Sequence, residues 1–243
     1  MFSRFRPSLT LTLSWLVALA ILLSLGTWQM QRREWKNGLV AELEAGLAAA
    51  PVALPATVTD IDALRFHRVS VTGRFDHSSE IHLVRARGGR NGFQVLTPLV
   101  RPAGPAVLVD RGWVPRELKD PSQRAEGQVT GPVEVTGMVR TGSAPGWFVP
   151  DNDLQRNMWF HTDYAAIGQA TGQTLLPLTV IAEQGPKGAA WPQVHRAEFN
   201  LRNNHLEYAV TWYSLALIMT VIFVMMGRAR ARNSGATDGS AGQ

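Results

Sequence analysis

The chain has 243 residues, of which 45% are hydrophobic and 18% charged, and it contains no cysteine. This length suits one domain with additional segments, and the missing thiols exclude thiolate zinc sites, iron–sulfur clusters, CxxCH haem attachment, disulfides and thiolate copper delivery. The formal charge of +5, from 24 Lys+Arg and 19 Asp+Glu, raises either nucleic acid or an anionic membrane surface as a partner.

Two apolar segments lie towards the ends of the chain. Residues 7–31 and 208–227 give 25 and 20 consecutive positions without a charged side chain. Each is long enough for a helix to cross a hydrocarbon core of about 30 Å. The first could also be a cleaved signal peptide, but no convincing small-residue cleavage site follows Leu25, so an uncleaved anchor is favoured. Both segments are therefore predicted to be transmembrane helices. The aromatic residues expected at the membrane interface are Trp28, Tyr208, Trp212 and Tyr213.

Charges at the ends predict the orientation. Basic residues before the first span and after the second favour cytoplasmic termini; they are Arg4, Arg6, Arg228, Arg230 and Arg232. Nearby Lys and Arg are equally many at the other ends of the spans, but the 176 residues between them are long enough to translocate largely regardless of charge. We expect a periplasmic central domain, or its organellar equivalent. A mitochondrial origin is less expected, because the first span begins near residue 7 and leaves no room for a transit peptide.

The same distribution explains the net charge. Residues 32–207 carry 19 Lys+Arg and 18 Asp+Glu, a net charge of +1, so most of the excess lies in the short tails. The basicity is therefore mainly a topology signal, and no nucleic-acid partner is expected.

The hydrophobic pattern changes after the first span. Trp35, Leu39, Leu43 and Leu47 recur every four residues and predict an amphipathic helical extension that Pro51 ends. A period of two then predicts strands, and these fall near residues 69–75, 81–83, 93–99, 106–110, 132–140 and 175–182. Pro177 points to an edge strand or a bulge in the last of them. Residues 87–92 are expected to form a hairpin loop, 161–172 a short helix, and 119–130 a mobile polar loop.

These elements predict a membrane protein in which two transmembrane α-helices flank a β-rich, barrel or sandwich-like, periplasmic α+β domain. The predicted segments are a cytoplasmic tail (1–8), a transmembrane helix (9–31), an amphipathic helical extension (32–50), the periplasmic β-rich domain (51–204), a second transmembrane helix (205–227) and a cytoplasmic tail (228–243).

No catalytic constellation is evident. The six histidines form neither HExxH nor a pair four residues apart; they are His67, His77, His82, His161, His195 and His205. On a strand, His77 and His82 would face opposite sides. Adjacent side chains in Asp76-His77-Ser78 diverge and cannot form a triad. The domain is therefore interpreted as a binding module with no catalytic residues, although a deep pocket with convergent polar groups would favour an enzyme.

One histidine has a different setting, because His205 lies at the start of the second apolar segment. At 100° per residue one helix face collects His205, Tyr208 or Ala209, Trp212, Ala216, Met219 and Phe223. A neutral imidazole is a normal axial ligand of haem iron, and the alanines could open a groove for the ring. Alternatively, the histidine is simply polar and interfacial, and the alanines pack on the first span.

Five motifs occur in order along the chain. They are Leu25-Gly26-Thr27-Trp28-Gln29 with Arg32 and Lys36; Val71-Thr72-Gly73-Arg74-Phe75-Asp76; residues 92–99, which end in Thr97-Pro98-Leu99; Val109-Asp110-Arg111-Gly112-Trp113-Val114-Pro115; and Asn203-Asn204-His205-Leu206-Glu207-Tyr208 with Thr211-Trp212. Together with the two spans, this series strongly resembles the Surfeit locus protein 1 family, over about residues 25–216.

The resemblance implies a non-enzymatic role in assembling a haem–copper terminal oxidase, cytochrome c oxidase. It implies haem a as a transient cofactor, with His205 of the HLxYxxTW stretch as its iron ligand and Tyr208 and Trp212 as neighbours that orient or shield the ring. The implied partners are oxidase subunit I and haem A synthase, beside the lipid bilayer. The alternative is a cofactor-free membrane scaffold that stabilises an early subunit I intermediate.

Further residues of these motifs have weaker implied roles. Trp28, Gln29 and Arg32 lie at the same membrane face and could contact a haem propionate or the oxidase, with packing and anchoring equally expected. Four residues are taken as structural, forming a strand end, a tight turn and a core tryptophan; they are Arg111, Gly112, Trp113 and Pro115. The arginine-rich loop 85–90 has no role implied by the family.

Overall fold

A computed structural model of the chain describes residues 7–142, 145–194 and 203–238, with side chains described up to residue 231. Arg4, Arg6 and His195, which the sequence analysis considered, lie outside the described residues, as does the side chain of Arg232. The chain divides into two compact units, one from residues 1–41 and 200–243 and the other from residues 42–199.

The first unit is a pair of helices. Helix α1 runs over Leu9–Ala48 and helix α3 over His205–Asp238. Both are long and apolar enough to cross a membrane. Their outward side chains, such as Leu13, Leu217 and Ile218, are exposed, as lipid-facing residues would be. The predicted extension past residue 31 is helical, and α1 ends before Pro51.

The second unit is built on seven strands. They are β1 (Val52–Ala53), β2 (Arg68–Phe75), β3 (Ile81–Arg87), β4 (Arg90–Val100), β5 (Ala106–Pro115), β6 (Pro132–Thr141) and β7 (Leu175–Ala182). Their order is β1-β2-β6-β7-β5-β4-β3, and β2 also pairs with β4. This extra pairing joins β2, β6, β7, β5 and β4 into a closed five-stranded barrel. The predicted class of two apolar helices around a β-rich domain is confirmed, and of the two β architectures it is the barrel.

The barrel interior is filled by apolar side chains from alternate positions of the strands. Branched apolar side chains from facing strands form one buried cluster, which includes Val69, Val71, Leu99, Val107, Val109, Val139, Leu178 and Val180. The intervening residues of β4 and β5 are also buried, since Leu96 and Leu108 pack outside the barrel against Trp159 and Ile167. Ile167 belongs to helix α2 (Tyr164–Thr171). Burial on both faces explains why β4 and β5 carry apolar residues at consecutive as well as alternate positions.

Closure of the barrel depends on a glycine. β2 meets β4 through the pairs Arg74↔Val100 and Phe75↔Leu99. A Cβ added at Gly73 would lie 2.6 Å from the Val100 carbonyl oxygen and 2.8 Å from Leu99 Cγ. Any larger residue would therefore push the two strands apart where the sheet closes.

Several local predictions are refined by the structure. The hairpin loop is shorter than expected, because β3 extends to Arg87 and β4 begins at Arg90, which leaves Gly88 and Gly89 as the turn. Pro177 lies in a strand paired on both sides, so the edge alternative is wrong; instead, the register of β5 and β7 shifts beside it. The predicted mobile loop at 119–130 is wrong in part, since residues 121–127 form 3₁₀ turns that bury the Arg124 side chain.

Candidate functional site

The start of α3 is tied to α1 by two asparagines. Asn203 accepts a hydrogen bond from the backbone N–H of His205 at 3.4 Å, a partner for one of the donors left open at a helix start. The amide nitrogen of Asn203 donates to Asn37 Oδ1 at 2.8 Å and to the carbonyl oxygen of Arg33 at 3.5 Å. The backbone that carries His205 is therefore fixed against the first helix.

The His205 imidazole is oriented by Gln29. Its Nδ1 lies 2.6 Å from Gln29 Oε1. An amide oxygen only accepts hydrogen bonds, so this contact assigns the proton to Nδ1 of the neutral ring and leaves the lone pair on Nε2. The half-buried ring thus presents the nitrogen that a metal ion would bind, held by the kind of hydrogen bond that typically orients ligating histidines.

Tyr208 and Trp212 follow on the next two turns of α3. Tyr208 is 56% exposed, whereas Trp212 is half-buried. Of the two predicted alternatives, Ala209 rather than Tyr208 lies on the packed face, which continues through Ala216 and Phe223, all buried. The structure therefore brings His205 together with Gln29 and leaves the Tyr208 side chain open.

The packed face of α3 faces α1. Trp15 stacks on Phe223 with ring centroids 4.5 Å apart, and its Nε1 donates to Thr220 Oγ1 at 3.4 Å. The Tyr213 ring lies against Gly26, where a Cβ would be 2.6 Å from it, and its hydroxyl is 3.3 Å from Thr27 Oγ1. These contacts favour the reading in which the alanines pack between helices rather than open a groove.

The other motif residues of α1 have local contacts. Trp28 is exposed, as an interfacial anchor would be. The Arg32 guanidinium lies 3.9 Å from the centroid of the Trp35 ring, a cation–π contact within the same helix. Gln29 is the neighbour that sequence reasoning did not pair with His205, although its place at the same membrane face was the available signal.

The barrel unit contains a second polar assembly, which is buried. Its carboxylate, Glu80, accepts hydrogen bonds from His82 Nε2 at 2.8 Å and from both terminal nitrogens of Arg124. Arg111 lies 3.7 Å from Glu80 and donates to His77 Nδ1 at 3.2 Å. His77 lies in a 3₁₀ turn rather than on a strand, so the strand geometry expected to place His77 and His82 on opposite sides does not apply. Both histidines belong to this assembly, called the Glu80 cluster below.

The surroundings of the Glu80 cluster shift the pKa values of its charged side chains. Burial alone would raise the pKa of Glu80, but hydrogen bonds from His82 and Arg124 and the positive charge of Arg124 hold that pKa at about 2. Burial lowers the pKa of Arg111 to about 10, against the opposing effect of Glu80. A carboxylate with so low a pKa is a poor base near pH 7. The ion pairs and hydrogen bonds of the cluster join strands β3 and β5 to the turns that carry His77 and Arg124.

A cleft of about 470 Å³ opens beside this cluster, and its lining includes Phe75, Arg111, Glu134 and Lys187. Among the lining residues that the structure describes there is no histidine, serine or tyrosine. The polar side chains that do line it include Thr136, Gln184 and Lys187. Within residues 7–142, 145–194 and 203–238, no three His, Asp or Glu side chains converge to hold a metal ion.

Trp113 has the core role expected of it, whereas Gly112, expected in a tight turn, lies inside strand β5. Trp113 is buried, with its indole nitrogen donating to the Arg85 carbonyl oxygen at 2.9 Å. Gly112 has a φ of +119° and passes close to Gln193, where an added Cβ would be 2.3 Å from the carbonyl oxygen. Arg111, expected to be structural, is held in the Glu80 cluster.

Comparison with known proteins agrees with the motif series. The model of the SURF1 family matches residues 16–217. Surfeit locus protein 1 of Xenopus tropicalis is 36% identical over 230 residues, covering 87% of this chain and 74% of that protein. The Homo sapiens protein of the same name is 38% identical over 209 residues, covering 79% and 69%. A SURF1-like protein of Monosiga brevicollis is 36% identical over 225 residues, covering 87% and 85%.

Proposed function

The chain belongs to the SURF1 family, and on that premise we propose that it is a membrane-bound, non-enzymatic assembly factor for a haem–copper terminal oxidase. The proposal extends to haem a, which the chain would hold before the haem enters oxidase subunit I. The observation that carries this part is the His205 imidazole, whose Nδ1 is bonded to Gln29 so that Nε2 is free of the proton.

The residues around His205 suit a transient haem site. Haem a, when bound, would supply an iron that an imidazole nitrogen can bind. His205 would bind through Nε2 while Gln29 fixes the ring orientation, and Tyr208 and Trp212 would offer aromatic surface to the flat macrocycle. A single protein ligand on a partly exposed helix would favour release, which an assembly factor requires.

The haem proposal is tested by measuring how much haem a the purified protein contains. The full chain and its His205→Ala variant are purified from cells that make haem A, and absorption spectra and haem stoichiometry are recorded. His67→Ala, a change at an exposed histidine of the barrel, is the matched control. We expect loss of bound haem a in His205→Ala only, and a smaller loss in Gln29→Leu. Equal haem content in all variants would overturn the ligand assignment.

A second candidate is a cofactor-free scaffold that stabilises an early subunit I intermediate. The observation that favours it is the burial of Ala209 and Ala216 within the helix pair, which removes the groove that a haem ring would use. A pull-down of subunit I from cells that cannot make haem A separates the two. Recovery equal to that from haem A-producing cells supports the scaffold, and loss of recovery supports haem handling, with haem A synthase then sought among the bound proteins.

For the location, we propose the bacterial inner membrane with both termini cytoplasmic and the barrel domain periplasmic. The supports are the two apolar helices and the arginines that follow the second apolar segment, Arg228, Arg230 and Arg232. Because the chain has no cysteine, Glu126→Cys at an exposed barrel position gives a unique label site. Labelling of intact spheroplasts by a membrane-impermeant maleimide is expected; protection until lysis would reverse the topology.

A further inference from the structure

An exposed aromatic turn lies between β6 and α2. The side chains of Trp147 and Phe148 are fully exposed at adjacent positions. The turn is closed by a hydrogen bond from the Val149 N–H to the Gly146 carbonyl oxygen at 3.0 Å. Large aromatic side chains gain free energy when they leave water, so two of them at the tip of a closed turn point to an apolar or interfacial environment.

A second exposed feature is the hairpin of β3 and β4, whose turn is Gly88-Gly89. Arg87 and Arg90 lie directly opposite each other across this hairpin, and Arg85 lies two residues before Arg87. Residues two apart on a strand, and residues directly opposite across a pair, point to the same face. Three exposed arginines therefore share one face of the hairpin, with Glu117 near Arg90 at 3.8 Å as a weak exposed ion pair.

The aromatic turn and the arginine face adjoin. A cleft of about 240 Å³ is lined by Arg85 and Arg140 together with Gly146 and Val149 of the turn. Arg140 lies 4.0 Å from the buried Asp110 carboxylate, and Arg85 donates to the carbonyl oxygens of its neighbours. Two guanidinium groups thus lie beside the base of the aromatic turn, and the hairpin arginines extend the positive charge outward.

We propose that this surface, consisting of residues 145–149 and the arginines at 85, 87, 90 and 140, docks on an anionic phospholipid bilayer. Trp147 and Phe148 enter the interfacial layer, and the arginines bind headgroup phosphates with their planar, multiple-donor groups. Asp151 and Asp153 follow the turn, and Asp153 lies 3.7 Å from Arg156, so the local charge is moderate and the aromatic residues supply the main attraction.

A bilayer is the chosen occupant because this chain also carries two helices long and apolar enough to cross one. Covalent attachment gives the barrel domain a high effective concentration at the membrane surface, so a contact that would be too weak for a free protein is populated. Docking would add a membrane contact by the barrel domain to the two membrane-spanning helices of the chain. It would also restrict the orientation of the barrel domain relative to the membrane.

The test measures the depth of the turn in a membrane. Gly146→Cys keeps both aromatic residues, and a Cβ at Gly146 would meet nothing closer than Val149 Cγ2 at 3.8 Å. The full chain, labelled there with a nitroxide, is reconstituted into vesicles of phosphatidylcholine with or without phosphatidylglycerol. Collision rates with oxygen and with a water-soluble nickel chelate then report the depth. Glu126→Cys, an exposed site elsewhere in the barrel unit, is the control label.

We expect the nitroxide at residue 146 to be accessible to oxygen and shielded from nickel, more so with phosphatidylglycerol, whereas the label at residue 126 stays aqueous. Trp147→Ser with Phe148→Ser in the Gly146→Cys chain returns the label to water. Each of Arg87→Gln and Arg90→Gln lowers the ratio of inserted to aqueous signal about fivefold. Arg74→Gln, at an exposed arginine of β2, leaves the ratio unchanged.

Three results would overturn the inference. An aqueous label at residue 146 in both vesicle types would exclude bilayer docking and leave the surface to a protein partner. Equal depth with and without phosphatidylglycerol, or an equal effect of Arg74→Gln, would remove the headgroup role of the arginines. The two serine substitutions alter only fully exposed side chains, so loss of insertion in that variant is not expected to reflect unfolding.

Discussion

Replacing Glu80 by Gln should destabilise the barrel unit strongly. The substitution keeps the shape and the acceptor oxygen of the side chain but removes its charge. Arg111 and Arg124 would then be left as two buried positive charges without the carboxylate that both now face. Removing one partner of a buried ion pair costs about 3–5 kcal/mol, because the other charge stays desolvated.

The lowered pKa of Glu80 leads to a free energy of similar size. The folded-state pKa is about 2, against an ordinary value of 4.5. Each pKa unit corresponds to 1.36 kcal/mol, so the ionised carboxylate stabilises the folded state by about 3 kcal/mol at neutral pH. For a chain of this size, about 3 kcal/mol corresponds to a melting temperature lower by about 6–12 °C.

The pH dependence has a definite sign. Because folding lowers this pKa, the stabilisation is complete above pH 4.5 and is lost as the pH falls from about 4.5 to about 2. The stability of Glu80→Gln lacks this contribution at every pH. The difference in stability between the wild type and the variant should therefore be largest at neutral pH and shrink below pH 4.5.

The assay is thermal unfolding of the full chain in detergent, followed by near-ultraviolet circular dichroism of the buried tryptophans Trp113 and Trp159. Glu117→Gln is the matched control, since it makes the same chemical change at an exposed carboxylate. If Glu80→Gln melts within 1–2 °C of Glu117→Gln at pH 7 (for scale, about 2–4 °C corresponds to 1 kcal/mol), the Glu80 cluster is not a charge-dependent element of the fold.

Further substitutions address the two units. Ile167→Ala, at a fully buried residue that packs with Trp159, should cost about 2–5 kcal/mol in the same melting assay. Gly112→Ala should destabilise by at least about 1–3 kcal/mol, because its positive φ and the approach of Gln193 both oppose a Cβ; a neutral effect would contradict this geometry. In the helix pair, cysteines at 27 and 213 should cross-link through a short bismaleimide; Ala216→Leu should reduce the yield, and the exposed Leu217→Ala should not.

The hydrophobic periodicity of short segments predicted the helices and strands. Contacts between residues far apart in the sequence could be identified only from the structure. Alternation at Val69, Val71 and Leu99 identified strands because the barrel interior selects every second residue. Closure was not predictable, since a sandwich shows the same alternation and only the meeting of β2 with β4 at Gly73 distinguishes them.

The polar contacts could not be predicted from the sequence for the same reason. Gln29 and His205 are 176 residues apart, and no local period relates them. Glu80 and Arg124 are separated by 44 residues, with Arg124 in a segment whose composition is typical of a solvated loop. A buried ion pair produces no periodic pattern in the sequence. The polar composition of residues 119–130 therefore led to the prediction of a mobile loop.

The closed barrel also constrains how the domain can recognise a protein. Its five strands have hydrogen-bonded neighbours on both sides, so they have no free edge on which an incoming peptide could form a new strand. Among the described strands outside the ring, β1 has two residues, and the outer edge of β3 is already bonded to Trp159 at His82 and Val84. A protein partner, if the domain binds one, would therefore contact the side chains of turns and faces. Its affinity should respond to single surface substitutions and be insensitive to peptides that mimic an extended strand.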